Sequence, residues 1–141
     1  MKRSELGGED RIFVVANIFV YHFTGNGVYG HICSDFLERI ELAELEAVTT
    51  SLVLDEAVYA ILITAASEAT GITRIKTLQK RLRSDVHLST ECYSRVLAFL
   101  EYIEVLRDGG LTVMEGLGMD QLKAAAELGM EGFANLTIYL S

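Results

Sequence analysis

The sequence predicts an α/β fold, a short parallel sheet flanked by helices, and three observations carry that prediction. Residues 11–16 (RIFVVA) form an almost continuously apolar run of β-branched and aromatic side chains, which is how a strand buried on both faces reads. Residues 47–50 (AVTT) and 111–114 (LTVM) are two more short runs of strand character. The long segments between them carry apolar residues at helical spacing, and strands that alternate with helices imply a parallel sheet with helices on its faces.

Taken in order, the elements follow from local signals. After the first strand, IFVYHF predicts a short helix that ends at the Gly25-Asn26-Gly27 turn. Residues 29–41 predict a second helix, with Ile32, Phe36, Leu37 and Ile40 on one face. Thr50 or Ser51 can cap the helix after the second strand, expected over residues 52–66. Helices are expected over residues 73–84 and 90–107, the latter stopped by Gly109-Gly110. Beyond the third strand, Asp120 begins or caps a helix through Leu128, which Gly129 and Gly132 break. Residues 134–141 read as a further helix, with a strand as the alternative.

Composition bounds the function. A chain of 141 residues is one domain long and can bury roughly two-thirds of the surface its unfolded form exposes. Residues 1–10 read as a flexible N-terminal segment and 11–141 as the domain, without repeats or linkers. Half of the residues are apolar (50%), which excludes a disordered polar chain. The best candidate for a membrane span, residues 57–66, is half the length required and follows Asp55 and Glu56. MKRSELGGED has no apolar stretch behind its basic start, so no secretory signal is expected and a cytoplasmic location is. Proline is absent, in keeping with helices joined by Gly-rich turns.

Cys33 and Cys92 lie far apart without a CxxC and read as packed, reduced thiols. A zinc site from Cys33, His31 and His22 would have a spacing that fits no common pattern. The net charge of −8 argues against a generic nucleic-acid binder, because Lys and Arg supply phosphate contacts. The one dense basic run is Arg74, Lys76, Lys80, Arg81 and Arg83. Lys76, Lys80 and Arg83 share a helical face, which serves either as a solvated surface or as a contact for RNA phosphates.

In parallel sheets, ligands sit at the carboxyl ends of the strands, which directs attention to the residues after Ala16 and after Thr50. Glu56 is the most informative acid there. Its helix is so apolar that it should be buried on most sides, with Asp55 and Glu56 as its polar stripe. That stripe either solvates an exposed edge or aims Glu56 into a pocket, where it would bind a cation or shift a proton. One carboxylate does not make a hydrolytic metal site, since Mg²⁺ and Mn²⁺ take several oxygen ligands from different elements. Asp10 precedes the first strand and belongs to its other end.

RIFVVANIFVYHF resembles the opening of PIN domains, a strand ending in Asp-x-Asn followed by an apolar helix. TTSLVLDEAVYAIL is similar to their second motif, a Ser or Thr cap on a helix that bears the second acid. With the order of helices and strands, the resemblance spans nearly the whole chain. It implies a three-layer fold and a kinship with VapC-like toxins, endoribonucleases in which three or four acids hold Mg²⁺ or Mn²⁺ and activate a water against an RNA phosphate. It also implies a VapB-like antitoxin as partner.

Residue by residue, the resemblance breaks at the chemistry. The first Asp of the family falls on Val15, while the accompanying Asn is kept as Asn17 in a supporting role. The second acid is Glu56. The third falls on Leu136 in Gly132-Phe133-Ala134-Asn135-Leu136-Thr137, or, in another register, on Asp120. The fourth would follow a later strand, so the resemblance implies that the last strand or strands are missing. Two acids replaced and one absent imply weak or absent metal binding and impaired nuclease activity. A first strand without its neighbour would expose an apolar edge, from which dimerisation is expected.

Overall fold

The computed structural model describes residues 11–115. Their fold is α/β, five helices around a three-stranded parallel sheet. The order is β1 (Ile12–Phe13), α1 (Ala16–Thr24), α2 (Gly30–Glu41), β2 (Ala47–Thr50), α3 (Ser51–Thr70), α4 (Ile75–Ser84), α5 (Val86–Asp108) and β3 (Leu111–Met114). β2 lies between β1 and β3, pairing Ile12 with Ala47 on one side and Ala47 with Leu111 on the other. The two helices expected after β3, with Asp120 and Leu136, lie outside the described residues.

β1 is shorter than the apolar run that predicts it. Val14 still donates its N–H to the Val48 carbonyl at 2.9 Å, but Val15 is already the residue before α1, so Ala16 and Asn17 are helical. Ile12, Phe13 and Val14 are buried, although β1 is an outer strand among the described residues. The apolar edge expected to drive dimerisation is therefore not exposed through these side chains.

The turn after α1 follows its sequence signal. Gly25 takes the left-handed conformation (φ 66°) that stops a helix cheaply only in a residue without Cβ. Asn26 then accepts the N–H groups of Val28 and Tyr29 on its side-chain oxygen, at 2.9 and 2.8 Å, which steadies the entry to α2. Thr50 caps α3 by accepting the Val53 N–H at 3.2 Å, an interaction that contributes about 1 kcal/mol at such positions. Asp85 caps α5 in the same way through the Leu88 N–H at 3.1 Å, so α5 starts a full turn before the expected residue 90.

The core gathers where α1, α3 and α5 meet. Phe99 of α5 lies edge-on to Phe19 and Phe23 of α1, with ring centroids 5.8 and 5.2 Å apart. Cys33 and Cys92 are buried free thiols, and burial pushes both above the ordinary thiol pKa. Along its first turns α3 is buried on most sides, as expected, with Leu52, Asp55, Glu56 and Tyr59 forming one exposed stripe while Val53, Leu54, Val58 and Ile63 pack against the core. It buries Ala57, Ile61, Leu62, Ala65 and Ala66, whereas Leu52 and Tyr59 face solvent. Ala57, Ala65 and Ala66 on the inner face let α3 approach its neighbours closely, and Ile61 and Leu62 fill the core beside them. Among the described residues no helix is long and apolar enough to cross a membrane.

Candidate functional site

The carboxyl edge of the sheet is built by register. Phe13 is level with Val48 and Thr50 with Met114, so two further residues bring Val15 level with Thr50. The amino ends of α1 and α3 both sit at this edge because each helix follows its strand directly. Thr49, buried below the edge, donates its hydroxyl to the Val14 carbonyl at 3.0 Å and ties the ends of β1 and β2 together.

Val15 is half-buried and offers no side-chain cap to α1, and Asn17 is exposed in the first turn of that helix. Glu56 projects from α3 roughly 9 Å along the helix axis from its cap. Both Asp55 and Glu56 are exposed, so of the two readings the geometry favours the solvated edge. Glu115 follows β3 at the same end of the sheet and is also exposed. The strand-end rule that points to Glu56 applies equally to Glu115, the residue after Met114.

Among the described residues, no group of three His, Cys, Asp or Glu side chains could hold a metal ion. The two helix amino ends each add about half a positive charge to this edge, which disfavours a cation there. Among the described residues the donor set does not fit Mg²⁺ or Mn²⁺, whose sites draw on several carboxylate oxygens. His31, Cys33 and His22 do not form a zinc set either: His31 is solvent-exposed, Cys33 is buried, and His22 is engaged elsewhere. The cleft between α3 and α5 at Ala65, Glu68, Cys92 and Arg95 holds about 120 Å³, below the size of ordinary small-molecule sites.

The basic residues Arg74, Lys76, Lys80, Arg81 and Arg83 are exposed on and just before α4, with Arg81 3.6 Å from Asp85. α4 is anchored mainly by buried Leu78 and by Gln79, which donates to the Tyr59 hydroxyl at 2.8 Å.

One polar cluster is absent from the sequence reading. His22 of α1 stacks on Tyr102 of α5 (centroids 5.0 Å apart), with Phe23 edge-on beside it, and its Nδ1 lies 2.6 Å from the Ser34 hydroxyl of α2. Ser34 gives its own proton to the Gly30 carbonyl at 2.8 Å, so the neutral ring donates through Nδ1–H. Burial lowers the His22 pKa, and Glu41 opposes this in part. Burial, with Glu41 and Glu38, pushes Tyr102 up to about 12.

The unfolded chain therefore binds a proton near pH 6.5 that the folded chain resists. Stability from His22 is complete above that value and is lost as pH falls through it toward the lower folded-state pKa. Urea midpoints at pH about 7.5 and about 5.5 should drop more for the wild type than for His22→Asn. Equal drops would show that His22 carries none of the acid sensitivity.

No family model, curated protein or solved structure matches this chain.

Proposed function

We propose that this chain is a PIN-like protein of the VapC toxin type with impaired or absent nuclease activity. The observation that carries the reading is the shared sheet edge. Val15, Asn17 and the Thr50-capped helix bearing Glu56 are in the order that the resemblance requires, on a parallel sheet compatible with three layers. Impairment is supported by the aliphatic Val15 and by an exposed Glu56 that belongs to no set of three metal-ligating groups among the described residues. With that donor set, Mg²⁺ or Mn²⁺ is held weakly or not at all, and hydrolysis of an RNA phosphate lacks its activated water. The setting is cytoplasmic.

The test is Mn²⁺-dependent cleavage of a structured RNA, with EDTA and Glu56→Ala as controls. We expect the wild type to match both controls. Cleavage that disappears with EDTA and with Glu56→Ala would mean that Glu56 belongs to a working metal site, and the impairment would be refuted.

A second reading, a non-catalytic module that binds a VapB-like antitoxin or a second copy, is favoured by one observation. Val86, Tyr93 and Leu97 of α5 are large apolar side chains at least half exposed to solvent. RNA contact through Arg74, Lys76, Lys80, Arg81 and Arg83 belongs to the nuclease reading, and both readings are compatible with a homodimer.

A further inference from the structure

α5 has two faces. Leu88, Cys92, Val96, Phe99, Ile103 and Leu106 are buried and form its core side. About a third of a turn away runs a second apolar line, Val86, Tyr93, Leu97 and Leu100, at intervals of seven, four and three residues. These side chains are 76%, 50%, 61% and 40% exposed, where a helix facing only water would carry polar groups. α3 also exposes Leu52 and Tyr59, seven residues apart, but with the exposed acids Asp55 and Glu56 between them. On α5 they are aligned over some four turns.

The charges at the two ends of this line differ in sign. At the amino end the chain turns at Asp85 from α4, and residues 74–83 carry five cations and no acid. Ser89 of α5 donates to the Leu82 carbonyl at 2.7 Å, so this basic helix is held against the start of α5. At the carboxyl end, Glu101, Glu104 and Asp108 are exposed and outnumber the one exposed cation among them, Arg107. Glu38 and Glu41 of α2 lie close enough there to raise the pKa of Tyr102.

We propose that the Tyr93–Leu100 part of this line on α5 is a self-association surface that pairs antiparallel with α5 of a second copy about a two-fold axis near Leu97. An isologous interface must be self-complementary, and this one is in both respects. Leu97 meets its own copy and Tyr93 approaches the partner's Leu100. Each basic amino end comes to lie beside an acidic carboxyl end, twice over. A parallel arrangement would set like charges together, and a nucleic acid would be repelled by the acidic half. This pairing rests on the second reading above, which uses the same α5 side chains, and it draws on neither the sheet edge nor Glu56.

Sedimentation velocity of the whole chain at micromolar concentration and low salt tests it. The wild type should be a dimer that weakens as salt is raised, since the end contacts are ionic. Leu97→Glu should raise the dissociation constant by about tenfold or more while leaving the circular dichroism spectrum and the melting transition of the monomer in place. Glu104→Arg should weaken the dimer as well. Leu97→Cys should form an intermolecular disulfide on mild oxidation, a product the wild type cannot give because Cys33 and Cys92 are buried. A wild-type monomer under these conditions would overturn the proposal. So would a dimer that survives Leu97→Glu, or a Leu97→Cys variant that stays uncross-linked.

Discussion

Phe99→Ala is expected to destabilise the fold by about 3–5 kcal/mol, the range for emptying a fully buried aromatic site. Phe99 has no solvent exposure, and its ring is the common partner of Phe19 and Phe23. Truncation therefore leaves a void where α1 and α5 meet and also removes two edge-to-face ring contacts, each worth about 0.5–1.5 kcal/mol beyond area burial. Neighbouring side chains have little room to collapse into the space, because Val96, Ile103 and Ala57 around the same core are buried as well. Urea denaturation followed by circular dichroism measures the effect as a lowered midpoint at unchanged slope. A loss under about 1 kcal/mol would show that the α1–α5 junction is loosely packed in solution.

Elements were legible in the sequence wherever a local signal decides them. Thr50 before an apolar run and Gly25-Asn26-Gly27 after one mark real helix ends, because the groups that satisfy the terminal N–H and carbonyl groups lie within a few residues. Asp85 shows the same physics passed over. A capping Asp stands three residues before Leu88, the first buried residue of α5, yet the expected helix began at residue 90. The burial of α3 was legible through its acids: Asp55 and Glu56 mark the exposed stripe, and Ala57, Ile61, Leu62, Ala65 and Ala66 lie on the buried side.

The candidate site was legible as a place and not as an assembly. The strand-end rule leads to Val15, Asn17 and Glu56, and strand register brings their elements to one edge. Whether carboxylates converge there depends on the directions of side chains on separate elements, which spacing in one chain does not encode. Glu56 is exposed and Glu115 was passed over, and among the described residues neither belongs to a set of three metal-ligating groups. The His22–Ser34–Tyr102 cluster brings together residues 12 and 80 positions apart from His22, a separation beyond any local pattern.

Gly110→Ala should destabilise the fold by about 3 kcal/mol or more, well beyond the conformational effect of a Gly-to-Ala change at an open site. A Cβ at this position would fall on the Leu45 carbonyl oxygen and come within 3.3 Å of the Ile40 carbonyl oxygen. Both obstacles are backbone, and the backbone is fixed from two sides. Gly110 donates its N–H to Ile40 at 2.9 Å, and its carbonyl accepts the Ala47 N–H at 2.8 Å. Moving residue 110 aside would break the link between the end of α2 and the start of β2, and with it the register that pairs Ala47 with Leu111. Gly27 is the matched control: it has open space around its Cβ position and no left-handed backbone, so Gly27→Ala should be neutral or stabilising by up to about 1 kcal/mol. Urea midpoints of the two variants separate the effects, because both make the same chemical change to the unfolded chain. If the two midpoints coincide, the close approach of Gly110 to Leu45 does not govern the pairing of β2 and β3.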